Sequence, residues 1–111
     1  MGEAGEGSIV SQVLTNPWSS STALVKEYQA DMKAAGNNDL DYTSLEGYVN
    51  AKVLIEAIEG AGKDLTRANF NKALSGINKD FGGFKVNFTG GQQGSSQVFM
   101  TQVKGGKVID L

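Results

Sequence analysis

Tyr42-Thr-Ser-Leu-Glu-Gly-Tyr-Val-Asn-Ala-Lys-Val-Leu54 is the stretch whose reading decides the fold. It opens on Thr43-Ser44-Leu45-Glu46, where a hydroxyl and a glutamate three positions later have the spacing of a capping box, each answering a free backbone amide. Beyond it Leu45, Tyr48, Val49, Val53, Leu54, Ala57, Ile58 and Ala61 cover a broad helical arc, and Glu46, Asn50, Lys52, Glu56 and Glu59 take the rest until Gly62. An arc that wide suits a helix laid on a sheet with a neighbour on one flank.

Upstream, Ile9, Val10, Val13 and Leu14 make a short β-branched run that stops at Thr15-Asn16-Pro17, which predicts a strand over 8–14. The hydroxyls of 19–22 then offer an N-cap to a helix with Leu24, Val25, Tyr28 and Met32 on one face and Gly36 where a left-handed cap belongs. Downstream, Thr66 caps a third helix, with Leu65 and Phe70 placed as a hydrophobic staple and a stop near Gly76. Phe84, Val86 and Phe88 alternate with Lys85 and Asn87, the period of a strand with one face buried. Gly90-Gly-Gln-Gln-Gly94 reads as a loop, and Gln97 to Lys104 turns through Gly105-Gly106 into Lys107 to Asp110 as a hairpin. Residues 1–7, small, acidic and glycine-rich, read as a frayed or cloning-derived end, and 8–111 as the folded unit. The expected order is thus strand, three helices, three strands, the four strands able to share one sheet, with little cover for the hairpin and something wanting on the N-terminal side.

Composition narrows the function. A chain of 111 residues holds one domain at most, and its ten Lys and Arg against twelve Asp and Glu form no clustered basic stripe, so no nucleic-acid partner is expected. No run approaches the length of a membrane span, and the first residues carry neither the basic nor the apolar part of an export signal. With no cysteine and no histidine, thiolate chemistry, histidine triads and the usual zinc sets are excluded; no cofactor and no metal is expected. An enzyme here would rest on carboxylates alone, of which Asp39, Asp41 and Glu46 are close in sequence, and the expectation is that the chain is not one.

Three segments, in this order and spacing, carry a resemblance. They are Gly7-Ser-Ile-Val-Ser-Gln-Val-Leu-Thr-Asn-Pro17 with Val25-Lys-Glu-Tyr-Gln29; Tyr42 to Leu54 with Ala57 and Ala61-Gly-Lys-Asp-Leu-Thr66; and Gly83-Phe-Lys-Val-Asn-Phe88 with Gln93-Gly-Ser-Ser96 and Gly106-Lys-Val-Ile109. The set is similar to the C-terminal part of the type I solute-binding proteins of bacterial ABC importers, the branched-chain amino-acid binding family. The resemblance implies an α/β chain, a partial lobe of a type I periplasmic-binding-protein fold with about three helices and four strands including a C-terminal hairpin. It also implies a longer, periplasmic or cell-surface-anchored parent of two lobes joined by three crossing segments. The parent's partners would be a small solute, an amino acid or related carboxylate, and an ABC permease. On that map 8–14 is the second crossing, the helices and the 84–88 strand close the N-terminal lobe, and the hairpin returns to the other lobe. A fragment with one wall of a cleft is expected to bind poorly alone. Its uncovered strand edges are expected to favour a homo-oligomer, by edge pairing or exchange.

The same resemblance puts the start of the Tyr42 helix at the cleft, where free amides and a positive dipole end suit a carboxylate. The candidate solute-binding residues are therefore Tyr42, Ser44, Glu46 and Tyr48, with Glu46 able to pair with an amine, and Trp18 as a wall of the cleft or a cover for the hinge. Other patterns have blander readings. Asp39 and Asp41 lack the glycine and distal glutamate of a calcium loop and read as a solvated turn. Gly60-Ala-Gly-Lys63 lacks most of a phosphate loop, and Gly90 to Ser96 is read as a mobile connection before an anion nest.

Overall fold

A computed structural model describes residues 2–19 and 21–111. After a 3-10 turn at Gly2–Gly5 come β1 (Ile9–Gln12), α1 (Ala23–Ala34), α2 (Tyr42–Ala61), α3 (Arg67–Ser75), β2 (Asn78–Asp80), β3 (Lys85–Asn87), β4 (Phe99–Lys104) and β5 (Lys107–Asp110).

Local chemistry accounts for the helices. Thr22 caps α1 by accepting from the Val25 amide, and Leu24, Val25 and Tyr28, one turn apart, are buried. Thr66 caps α3 in the same way through the Asn69 amide, as its sequence predicts. In α2 the box sits elsewhere than expected. Asp41 is the N-cap, its side chain accepting from the Ser44 amide, while the Ser44 side chain answers the Asp41 amide. Two overlapping boxes fit this stretch, Asp41 with Ser44 and Thr43 with Glu46, and the extended backbone of Asp41 selects the first. At the far end Gly62, at φ 71°, closes α2 where a side chain would be strained.

The strands divide differently from the expected single sheet. β1, β4 and β5 form one antiparallel sheet in the order β1-β4-β5, whereas β2 and β3 form a separate hairpin. Among the described residues there are five strands and not four, because Asn78-Lys-Asp80 pairs with Lys85-Val-Asn87 across the Gly82–Gly83 turn. All three residues of β2 are exposed, so no alternation marks it in the sequence. The stretch expected to fray is tied to the sheet at its end: the Gly7 amide donates to Val103 O at 2.8 Å, and Glu6 accepts from the Gly105 amide at 2.8 Å.

Two bodies result. The helical body holds α1, α2, α3 and the β2–β3 hairpin around Leu24, Val25, Tyr28, Leu45, Val49, Phe84 and Val86. The three-stranded sheet stands to one side of it, joined by two crossings, residues 13–18 and 88–98. The whole measures 55 × 34 × 21 Å with a radius of gyration of 16.4 Å. A rounded domain of this length has a radius nearer roughly 13 Å, so the chain does not close on a single core. Apolar surface stays open accordingly. Leu54, Ile55 and Ile58 on the outer flank of α2 are 50%, 54% and 39% exposed, so the wide arc is covered on one flank only. The sheet likewise leaves Ile9 and Met100 open.

Candidate functional site

The junction between the two bodies gathers the chain's polar and aromatic detail. Leu14, Thr15, Asn16 and Pro17, the first crossing, are buried. Asn16 Nδ2 donates to Val108 O at 3.0 Å, and its Oδ1 accepts from the Trp18 and Ser19 amides at 3.0 and 3.3 Å. Trp18 follows, half exposed, with its indole N–H donating to Leu40 O at 2.7 Å and its ring meeting Tyr42 edge-on at 5.4 Å. Trp18 and Tyr42 are thus brought together at the start of α2.

The Tyr42 hydroxyl is buried and makes no hydrogen bond. Thr101 and Asp110, paired across β4 and β5 and so on one face of the sheet, lie on its side of the junction. The Thr101 hydroxyl is already donated to Val10 O at 3.2 Å. Burial pushes the Tyr42 phenol above its usual pKa; the nearby Thr101 hydroxyl lowers it and the Asp110 carboxylate raises it.

The other candidates face different ways. Ser44 lies inside the cap of α2, its hydroxyl paired with the Tyr28 hydroxyl and with the Asp41 amide at 3.2 Å. Tyr48 lies on the α1 flank of α2, donating to Asp31 Oδ2 at 2.6 Å with its ring 5.6 Å from that of Tyr28. Its phenol titrates well above the usual range, first through burial, then through the bond to Asp31 and the negative charges of Glu27 and Asp31. Beside it Lys52 pairs with Glu27 at 2.7 Å. Glu46 is exposed and rims a concavity of about 290 Å³ between α2, β3 and the second crossing, over Val49, Val53, Phe84 and Phe88. A larger concavity, about 660 Å³, lies between α2 and α3 by Glu56, Asn69, Lys72 and Lys79, and none of the five candidates lines it.

So Trp18 and Tyr42 meet, Glu46 borders a separate hollow, and Ser44 and Tyr48 are bonded within the helical body. Sequence reasoning passed over Asn16, which it took as a strand stop before proline. Its signal is weak, because an asparagine before proline is ordinary turn chemistry until its partner Val108, far along the chain, is known. Among the described residues no three of His, Cys, Asp or Glu cluster as metal ligands, and no helix is long and apolar enough to cross a membrane. What the arrangement offers chemically is recognition surface: an aromatic pair, a buried phenol, a rim carboxylate and an apolar hollow.

Comparison with known proteins agrees with this reading. A sequence profile described as periplasmic binding protein matches residues 1–107. The crystal structure of an extracellular ligand-binding receptor from Verminephrobacter eiseniae EF01-2 superposes with a TM-score of 0.84 at 28% identity, covering 96% of this chain and 31% of that one. The crystal structure of a "possible leucine/isoleucine/valine-binding protein" from Rhodopirellula baltica SH 1 gives a TM-score of 0.87 at 25% identity, covering 99% and 31%. The chain therefore spans under a third of the length of both solved structures. No curated protein matches it.

Proposed function

Since the chain belongs to the periplasmic binding protein family, in the form of a partial type I lobe, we propose that it is the C-terminal part of an extracytoplasmic receptor that holds a small solute between two lobes. The solute is an amino acid or a related carboxylate, the receptor hands it to an ABC permease by closing and reopening, and no bond is made or broken. The observation that carries this is the division of the chain into two bodies joined at one seam, with a radius of gyration of 16.4 Å instead of that of a rounded domain. Trp18, Tyr42 and Glu46 are the residues proposed to face the solute, the aromatic pair as wall and Glu46 as partner for an amine. Ser44 and Tyr48 support them by fixing the start and flank of α2.

The test is isothermal titration of the complete receptor with a panel of amino acids and aromatic and aliphatic carboxylates. Micromolar heat from at least one of them, weakened when Glu46 or Trp18 is changed to alanine, is the expected result; no heat across the panel overturns the assignment. The 111-residue chain alone is expected to give none, because incomplete walls leave most of a solute in water.

A second reading is favoured by the exposed apolar residues Ile9, Val98, Met100 and Leu111 and by the unpaired outer edges of β1 and β5: a self-associating module.

A further inference from the structure

We infer that Val13 and Val98 form the bending axis between the three-stranded sheet and the helical body, and that Asn16 is the off-axis clip that sets the angle between them. This rests on the reading of the two bodies as parts of two closing walls.

The axis follows from where each crossing is held. In the first, Gln12 ends β1 and Leu14 is already part of the helical core, so Val13 alone links them. In the second, the chain is strapped along β3: the Asn87 amide donates to Gly94 O at 2.7 Å, and the Lys85 amide donates to Gln97 Oε1 at 2.6 Å. Gly94 fits there because it has no side chain; a Cβ would stand 2.6 Å from the Phe88 ring. Since β4 begins at Phe99, only Val98 is left between the strap and the sheet.

These two links are neighbours. The register pairs Gln12 with Phe99, and one further step sets Val13 opposite Val98. Val13 is 62% exposed and Val98 64%, so little packing of their own side chains resists rotation about the line through them. Hinges of this kind take up their motion in a few residues at element ends.

Two adjacent links define a line but no angle about it. The angle needs a directional contact away from the line, and Asn16 supplies one. It is fully buried, its Oδ1 is fixed by two amides at the start of the helical body, and its Nδ2 reaches Val108 O in the sheet's edge strand. Tyr42 approaches the same face of the sheet beside Thr101, whose hydroxyl is donated to Val10 O, so its buried phenol meets the sheet by packing and proximity where Asn16 meets it by a well-formed hydrogen bond. Asn16 is thus a positioning residue for the two walls.

Residual dipolar couplings of the ¹⁵N-labelled chain test this without any ligand. In the parent chain the amides of the sheet and of the helical body fit one alignment tensor. In Asn16→Ala they require two, with the sheet couplings reduced at least about twofold relative to the helical body, while shifts within each body persist. One shared tensor in that variant overturns the inference. Should removal of the buried amide unfold the chain, Val98→Gly carries the test, since that side chain is mostly in solvent. Glycine on the axis is expected to reduce the sheet couplings alone by a similar factor, and unchanged couplings overturn the inference. A null titration of the complete receptor bears on solute binding and leaves this measurement untouched.

Discussion

Tyr42 is the residue whose surroundings ask most for an explanation, since its hydroxyl is buried and unanswered. A buried hydroxyl without a partner costs about 1–3 kcal/mol, so Tyr42→Phe is expected to stabilise this chain by about 1 kcal/mol in urea unfolding; a loss of similar size would mean that the phenol is bonded after all. Asp41 gives a prediction in pH. The Ser44 amide first and the Ser44 hydroxyl second hold its carboxyl below its ordinary value of 3.8. Its contribution to stability is therefore complete above the unfolded value and is lost as pH falls through the lower folded one. Thermal midpoints followed from about pH 6 down to about pH 2 should fall more steeply below pH 4 for the parent than for Asp41→Asn, which keeps a good cap without the charge. Parallel curves would remove Asp41 from the acid response. At this scale the sequence was legible in kind and ambiguous in register. It announced a capped helix start, but Asp41 and Thr43 each stand three positions before a suitable partner, and only backbone conformation separates them.

Among the elements, helices were readable because their determinants are local: Thr22 and Thr66 cap, and Gly62 ends α2. Strand partnership is not local. β2 is polar and exposed throughout, and it exists because the Gly82–Gly83 turn folds it onto β3. That turn does a second job. The Leu24 amide, one of those a helix start leaves free, donates to Gly82 O at 3.0 Å, so the hairpin completes α1. Gly82 has φ 83°, and a Cβ there would stand 2.7 Å from Leu24 N. Gly82→Ala should consequently cost more than about 1 kcal/mol and raise hydrogen exchange at Leu24 together with that of β2. An effect confined to the hairpin would break the link drawn between the two elements. The candidate site was legible to the extent that Trp18 and Tyr42 do meet, while Ser44 and Tyr48, four apart, both turn to Tyr28 of α1, and Glu46, two from each, faces a separate hollow.

For the whole molecule, the deficiency of cover anticipated from the order of elements is visible as apolar surface on both bodies, on α2 at Leu54 and Ile55 and on the sheet at Ile9 and Met100. Which strands share a sheet was not recoverable, because β1 and β4 lie at opposite ends of the chain and their pairing is set by the crossings between them. Light scattering over a range of concentrations should give a molar mass rising above that of the monomer, and Ile9→Lys with Met100→Lys should lower it. A strictly monomeric mass at every concentration would dismiss the self-associating reading and leave the receptor reading standing.

The bond from Leu24 to Gly82 also orders events in time. As the polypeptide emerges from the ribosome, α1 appears well before the turn that secures the Leu24 amide, so that amide waits for its partner through the synthesis of both later helices. A pause in translation or a protease acting in that interval finds the start of α1 less well secured, and the arrival of the Gly82–Gly83 turn completes it.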